Sequence, residues 1–269
     1  MKRARADIST REFLEKHAVF TTAEFRAALP PQTASSTVLN RLQQAYQRGY
    51  VERIKQRVYA SRIGQFSDAL PDPLLIASRL APEYVIAYHS ALEAHGAAHA
   101  PFRRVTLVSA RTPSTVEYRG YEFVILRPPK SLLHGAAWKS LTVQLRRGNE
   151  FVTVTSRERT FVDCLNSLKW AGGIEEVLRS VGSFPSLNVE SVIAYLDLLG
   201  SASTTARVGW VLSADPDLWR VTPTELDALR SRLGKGPYFL DDRSRSTKLV
   251  REWHMYVPEH LDPAEELRA

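Results

Sequence analysis

The order of patterns at the start of this chain constrains its fold more than any other feature. Apolar residues recur at helical spacing in three segments, which are residues 10–16, 23–28 and 35–48. A short apolar run at 19–20 separates the first two segments, and two β-branched runs, 51–54 and 58–60, follow the third. The pattern therefore predicts three helices that are followed by a β-hairpin.

Residues that favour helix ends stand at the boundaries of these segments. Thr21 and Thr22 precede the second segment, and Ser35 and Ser36 open the third. Their hydroxyls can accept backbone N–H groups at a helix N-terminus. Gly49 follows the third segment, where glycine often closes a helix in the left-handed conformation. We therefore expect a third helix that begins at the serine pair and ends just before Gly49.

The predicted hairpin has a basic tip formed by Lys55, Gln56 and Arg57. Three helices followed by such a hairpin are typical of a winged helix-turn-helix. In that fold the third helix enters the DNA major groove, while the hairpin, or wing, contacts the backbone or the minor groove. The first 63 residues are therefore predicted to form a DNA-binding domain.

The third helix is the candidate recognition element. Its apolar stripe, expected to face the core, consists of Val38, Leu39, Leu42, Ala45 and Tyr46. The candidate DNA-binding residues are Ser35, Ser36, Thr37, Asn40, Arg41, Gln44, Arg48, Arg53, Lys55, Gln56 and Arg57. Arginine pairs with guanine, and Asn or Gln pairs with adenine. The residues expected nearest the bases are Thr37, Asn40, Arg41 and Gln44. Lys55 and Arg57 are expected on the phosphate backbone.

Positive charge is concentrated in the same segment. Residues 1–62 contain twelve Lys and Arg and five Asp and Glu, which accounts for the whole net charge of +7. Such a local excess is typical of a surface that binds nucleic acid. Arg3 and Arg5 are candidates for a flexible arm that reaches a neighbouring groove. The alternative is a small helical module whose solvated face is basic without any contact to DNA.

Five runs of residues resemble one known family. They are VFTT at 19–22, QRGY at 47–50, VERIKQRVY at 51–59, AYHSALEAHG at 87–96 and TSRERTFVDC at 155–164. In order and spacing, and over nearly the whole chain, these runs resemble the AbiEi family of antitoxins. One departure lies in the wing, where many relatives have glycine before Val-Tyr and this chain has Arg57.

The resemblance implies a function for both parts of the chain. It implies an N-terminal winged helix that represses its own operon by binding inverted repeats in the promoter. It also implies a larger C-terminal domain that is needed for antitoxicity. The functional partner would be a toxin that resembles a nucleotidyltransferase, and whether the two proteins bind directly stays open.

The larger part of the chain follows a polar, turn-rich linker at 64–73. Strand-like runs dominate from residue 105 to 155, and helical patterns dominate from residue 156 onward. Strands followed by helices predict an α+β fold with a mostly antiparallel sheet and C-terminal helices over residues 74–269. The tail between residues 238 and 257 is expected to return one or two strands to that sheet.

Sequence motifs of common enzymes are absent from this larger part. The chain lacks the phosphate-binding, dinucleotide-binding, zinc-protease and serine-hydrolase motifs. No lysine follows Asp or Glu at the two-residue spacing of a common nuclease motif, and the aspartates after Gly200-Ser201 are too distant for a nucleotidyltransferase site. We therefore expect no enzymatic activity and no cofactor.

Histidine and cysteine also favour structural roles. The spacing of His89, His95 and His99 would place the first two on different sides of a helix, which argues against a shared metal ion. Cys164 falls in an apolar stripe with Phe161, which favours a core position over a nucleophile.

The densest charge cluster of the larger part lies between residues 157 and 163. Arg159 and Asp163 are four residues apart, which favours an ion pair along one helix. The alternative is that Arg157 or Arg159 belongs to an antitoxin surface that contacts a partner.

The single cysteine excludes an internal disulfide, and no stretch is long and apolar enough to cross a bilayer. We therefore expect a cytoplasmic protein that does not contact the membrane. The leading hypothesis is an antitoxin that also represses its operon. A stand-alone winged-helix regulator with a ligand-binding or partner-binding second domain, and a DNA-directed enzyme with a diverged metal site, stay open.

Overall fold

A computed structural model describes residues 9–241 and 247–269. The N-terminal elements are helix α1 (Thr10–Lys16), strand β1 (Val19–Thr21), helices α2 (Thr22–Ala28) and α3 (Ser35–Gln47), and strands β2 (Val51–Lys55) and β3 (Val58–Ser61). The three strands form an antiparallel sheet in the order β1-β3-β2. Phe13 packs edge-on against Phe20 and Phe25, and these rings form the centre of the small core. The three helices and the hairpin lie where the sequence predicts them.

The helix ends agree with the sequence only in part. Thr21 caps α2 in a capping box with Glu24, as the threonine pair indicated. The prediction that Ser35 and Ser36 cap α3 is wrong, because Ala34 is the N-cap residue and supplies no side-chain hydrogen bond. The hydroxyl of Ser35 instead accepts a hydrogen bond of 2.7 Å from Arg26 in α2. This bond ties the start of α3 to the preceding helix.

The larger part consists of a six-stranded sheet, a set of helices and a small second sheet. The strands of the large sheet are β4 (Val85–Ile86), β5 (Arg104–Val108), β6 (Ser114–Tyr118), β7 (Tyr121–Leu126), β8 (Thr142–Arg147) and β9 (Glu150–Thr155). The helices are α4 (Pro73–Leu80), α5 (His89–Ala94), α6 (Lys130–Leu133), α7 (Arg157–Asn166), α8 (Ile174–Gly182), α9 (Val189–Leu199), α10 (Ala202–Ala214), α11 (Pro223–Arg230) and α12 (Pro263–Glu266). The strands of the second sheet are β10 (Tyr238–Phe239), β11 (Lys248–Val250) and β12 (Met255–Val257).

The large sheet has the strand order β6-β7-β5-β4-β9-β8. Three of its neighbouring pairs are antiparallel, and β5 with β7 and β4 with β9 are parallel. The strands come before the C-terminal helices, so the predicted α+β class is confirmed. The expectation for the tail is wrong, because β10, β11 and β12 form a separate sheet in the order β10-β12-β11.

The large sheet is covered on both faces. Helices α5, α7, α8, α9 and α10 build the core on one face, where Phe161, Val177 and Tyr195 are fully buried. Helix α4 covers the opposite face and packs against β5 and β9. The strands of the winged helix lie beyond α4 and complete that second core.

The winged helix shares this second core with the larger part of the chain. Val19, Ile54 and Val58 belong to one continuous apolar cluster with Ile76 of α4 and Ile86 of β4. The segment between the two parts, predicted as a linker, contains a 3₁₀ turn at Gly64–Phe66. Near the end of this segment, the side chain of Asp72 caps the N-terminus of α4. The two parts therefore pack as one body.

Polar contacts hold the same boundary. Arg79 of α4 forms an ion pair of 2.8 Å with Glu24 of α2 and a second with Glu150 of β9. The carboxylate of Glu52 in β2 accepts hydrogen bonds from the Tyr118 hydroxyl at 2.8 Å and from Arg119 at 3.0 Å. These contacts fix the orientation of the winged helix relative to the large sheet.

Candidate nucleic-acid interface

The outer face of α3 consists of uncharged polar side chains. Asn40, Gln43, Gln44 and Gln47 are exposed in the complete fold, so the larger part of the chain does not cover them. Within residues 9–241 and 247–269, none of the four side-chain amides has a hydrogen-bond partner. Spacings of three and four residues place the amides side by side on one face. The sequence prediction included Asn40 and Gln44 and missed Gln43 and Gln47, although the same helical periodicity reaches both.

The apolar stripe of α3 is narrower than the sequence predicts. Val38, Leu42 and Ala45 are buried as expected. Leu39 and Tyr46 are not core residues, because 56% and 50% of their respective surfaces are exposed. Both lie on the border between the buried stripe and the amide face. Helix α3 therefore presents an apolar edge beside its amides.

The polar residues on the opposite border of α3 differ in exposure. Thr37 and Arg48 on this border are exposed, whereas Arg41 is half-buried. Ser36 is also exposed and lies on the amide face, one turn before Asn40. Arg41 therefore lies at the side of the exposed face, and the amides occupy its centre.

The wing projects beside α3. Strands β2 and β3 pair with a bulge between Arg53 and Lys55, and Gln56 and Arg57 form the exposed turn between them. Arg57 has a φ of 67°, the left-handed region that favours glycine. Its carbonyl accepts a hydrogen bond of 2.9 Å from the backbone N–H of Thr22, which anchors the turn. The turn thus has an arginine in a conformation that is costly for any residue with a Cβ atom.

A groove of about 400 Å³ separates α3 from the wing. Its lining consists of Leu39, Asn40, Leu42, Gln43 and Tyr46 from the helix and Arg53 and Tyr59 from the strands. One cation, two phenol rings and two amides therefore surround an open channel. The strand side of this channel suits a phosphodiester backbone, because the guanidinium of Arg53 and the hydroxyl of Tyr59 can contact phosphate and sugar.

Lys55 is not on this exposed surface. Its ammonium group donates a hydrogen bond of 2.8 Å to the carbonyl of Leu80, at the C-terminal end of α4. Burial lowers the pKa of Lys55. In this structure Lys55 therefore joins the wing to the larger part of the chain and does not project toward solvent like Arg57.

The basic residues of the winged helix divide into two groups. Arg11 and Lys16 form ion pairs with Glu15 and Glu12 on α1. The other basic side chains with partners donate to uncharged oxygen atoms: Arg26 to the Ser35 hydroxyl, Lys55 to the carbonyl of Leu80 and Arg62 to the carbonyl of Ala69. Arg41, Arg48, Arg53 and Arg57 have no ion-pair partner in the part of the chain that the structure describes. Among the described residues of the winged helix, the basic side chains that bond to no other group therefore lie on α3 and the wing. Arg3 and Arg5, the predicted arm, lie outside the described residues.

The prediction that Arg159, in the charge cluster after β9, belongs to an antitoxin surface is wrong. Only 1% of Arg159 is exposed, and its guanidinium donates to Asp163 at 3.1 Å and to the carbonyls of Trp138 and Ser140 at 2.6 and 2.8 Å. It therefore forms the predicted pair along the helix, inside the core. Arg157 is half-buried at the start of α7 and keeps part of its surface accessible.

The remaining candidate chemistry of the larger part is internal. Burial raises the pKa of the Cys164 thiol well above its ordinary value, so the residue stays a neutral core side chain. His89 is buried and bonds to Glu176 at 3.0 Å, while the Nε2–H of His95 donates to the carbonyl of Thr155 at 2.8 Å. Among the described residues there is no group of three or more His, Cys, Asp or Glu side chains that could hold a metal ion. Nor does any helix in those ranges have the length and apolar character required to cross a membrane.

Comparisons with known proteins identify a similar fold. No protein-family model and no curated protein sequence matches the chain. The crystal structure of the RV2827C protein from Mycobacterium tuberculosis is similar, with a TM-score of 0.57 and 15% sequence identity. The match covers 94% of this chain and 89% of that chain. At this level of identity the likeness shows a shared fold over nearly the whole chain.

Proposed function

We propose that this protein binds double-stranded DNA through α3 and the wing and represses transcription. The observation that carries this proposal is the uncovered amide face of α3, which lies beside four arginines without an ion-pair partner. Phosphates of DNA supply the missing negative charge, and amides can bond to base edges in the major groove. The groove between α3 and the wing offers a path for one strand of the backbone.

The resemblance to AbiEi antitoxins extends the proposal to a biological role. On that basis the protein is the antitoxin of a bacterial toxin-antitoxin, or abortive infection, system. It represses its own operon by binding inverted repeats in the promoter, and its functional partner is a toxin that resembles a nucleotidyltransferase. It acts in the cytoplasm, and the larger part of the chain restrains the toxin without chemistry of its own.

Replacing Arg57 with glycine should stabilise the protein and weaken DNA binding at the same time. Glycine removes the cost of the left-handed conformation, which is about 1–2 kcal/mol, while the loss of the cation removes one phosphate contact. We expect a higher free energy of unfolding in urea. We also expect weaker binding to a short DNA duplex, with the salt dependence of log K reduced by about one unit. Fluorescence anisotropy at several salt concentrations measures the second effect.

Two variants separate these effects. Arg57→Ala removes the cation and keeps the Cβ atom, so its binding should fall as in the glycine variant without the same gain in stability. Arg11→Ala removes a cation that is paired with Glu15 on α1, and it should leave the salt dependence unchanged. Binding that is insensitive to Arg57 and sensitive to Arg11 would contradict the proposed DNA surface.

Co-expression with the neighbouring gene tests the antitoxin role. If that gene encodes the toxin, its expression alone should arrest growth, and co-expression of this chain should restore growth. A variant that lacks DNA binding, such as Arg53→Ala with Arg57→Ala, should still restore growth, because the proposal assigns antitoxicity to the larger part. Failure of the wild-type chain to restore growth would remove the antitoxin role and leave DNA binding intact.

A cleft in the larger part favours a second candidate function. It has a volume of about 510 Å³, and its lining includes Asp72, Glu93, Phe102, Tyr121 and Arg147. Burial raises the pKa of Glu93, and the aromatic and charged side chains together could hold a small polar ligand. This cleft supports a stand-alone regulator whose DNA binding responds to a ligand. If the neighbouring gene arrests growth and this chain restores it, the result would favour the antitoxin role over that of a stand-alone regulator.

A further inference from the structure

The side chains at the centre of the α3 surface favour one class of base pair. Asn40, Gln43, Gln44 and Gln47 present both a donor and an acceptor, and all four are exposed and unpartnered within the described ranges. An amide of this kind pairs in bidentate fashion with the N6 and N7 atoms of adenine. The residue types that read guanine or cytosine are Arg or Lys and Asp or Glu. Residues 35–47 contain no acidic residue and no lysine, and their one arginine, Arg41, is half-buried at the border.

An exposed leucine lies beside these amides. Leu39 is adjacent to Asn40 along the chain and one helical turn before Gln43, and it lines the groove next to both. More than half of its surface is in contact with solvent. In the major groove the only apolar group on a base edge is the 5-methyl group of thymine. Contact with that methyl would cover Leu39 at the same base pair whose adenine bonds to an amide.

Charge complementarity identifies the occupant of this face as DNA. Arg48, Arg53 and Arg57 are exposed around the amide face without ion-pair partners in the described part of the chain. A protein partner with an apolar patch would cover Leu39 and Tyr46 but would leave these cations unpaired. A duplex satisfies the cations with phosphates, the amides with adenines and the leucine with thymine.

We propose that α3 reads A·T base pairs, with amides of the Asn40 to Gln47 face bonded to adenine and Leu39 packed on the methyl group of thymine. This inference rests on the proposed DNA-binding function and names the sequence class that the same surface recognises. In this arrangement Arg41, which the sequence predicted to contact guanine, lies at the border of the base-reading face and not at its centre.

Selection of random duplexes by the full-length protein, followed by base replacement, tests the inference. The selected half-site should contain consecutive A·T pairs. Exchange of a contacted A·T pair for G·C should weaken binding roughly 5- to 150-fold, the range for a lost bidentate contact. Exchange of the contacted thymine for deoxyuridine removes only the methyl group and should weaken binding about fourfold.

A thermodynamic cycle locates the methyl contact. Leu39→Ala should bind the thymine and deoxyuridine duplexes equally, because the side chain that senses the methyl is gone. Leu198→Ala is a matched control, since Leu198 is 45% exposed in α9, and it should keep the fourfold difference. Near-native unfolding curves confirm that these variants fold, because neither leucine is buried.

Each result decides a different claim. A selected site rich in G·C, or a Leu39→Ala variant that still discriminates thymine from deoxyuridine, overturns the A·T inference and leaves DNA binding in place. An absence of binding to any duplex overturns the proposed function together with the inference. Capture of a protein partner by the amide face, with no duplex bound, gives the same double rejection.

Discussion

A chain that begins at residue 63 should be far less stable than the full-length protein. The winged helix contributes Val19, Ile54 and Val58 to the core that it shares with α4 and the large sheet. Full burial of one such side chain stabilises a protein by about 1.5–3 kcal/mol, so truncation removes several kcal/mol from a total that is typically about 5–15 kcal/mol. We expect the truncated chain to aggregate or to melt at a much lower temperature. Calorimetry of both chains measures the difference.

Two full-length variants show whether the parts unfold together. Ile54→Ala acts on the shared core, and Leu42→Ala acts on the core of the winged helix alone. If the chain unfolds as one body, both variants shift a single transition to lower temperature. Two separate transitions, of which Leu42→Ala moves only one, would contradict this expectation, as would a truncated chain with unchanged melting temperature.

This coupling could not be predicted from composition or periodicity. The turn-rich residues 64–73 are typical of a linker, and the charge imbalance ends at the same place, so the sequence predicts two separate domains. The apolar residues of β2 and β3 have the same alternation whether they face their own helices or a second domain. Only the fold shows that Ile54 and Val58 are buried in the same apolar cluster as the residues of α4.

Local signals predicted most helices and strands correctly because each has its own periodicity. Strand β4 was missed, since Val85 and Ile86 alone are too short to show an alternation. Its position in the middle of the sheet results from pairing with β5 and β9, and Ile86 lies opposite Leu107 and Val154. These are contacts between residues that are distant in sequence.

The candidate DNA surface was predicted in outline and differs in detail. Helical spacing places Leu39 and Tyr46 at the edge of the stripe, where periodicity alone cannot distinguish a core residue from an exposed one. For Lys55, position at the hairpin tip suggested exposure, but the carbonyl of Leu80 lies within hydrogen-bond distance. The exposure of Leu39, Tyr46 and Lys55 depends on which residues of other helices and strands lie next to each side chain, and local sequence does not contain that information.

Arg159 shows most clearly how a side chain's role depends on neighbours that are distant in sequence. The sequence allowed either an ion pair with Asp163 or a place on an antitoxin surface, and burial of Arg159 leaves only the ion pair. The side chain connects α7 to the segment before β8 by its bonds to the carbonyls of Trp138 and Ser140. It also lies over the ring of Tyr195, whose hydroxyl donates to Asp163 at 2.8 Å. Burial raises the pKa of Asp163, and Arg159 and Tyr195 oppose that shift.

Replacing Arg159 with methionine should lower the free energy of unfolding by about 3–5 kcal/mol, because it leaves the carboxylate of Asp163 buried without its cation. Arg157→Met is the matched control, since Arg157 is half-buried two residues away, and it should change stability much less. Addition of Asp163→Leu to Arg159→Met should recover part of the loss, since no unpaired buried charge remains. Urea unfolding measures all three variants. An Arg159→Met protein that is as stable as the wild type would contradict this role of the buried ion pair.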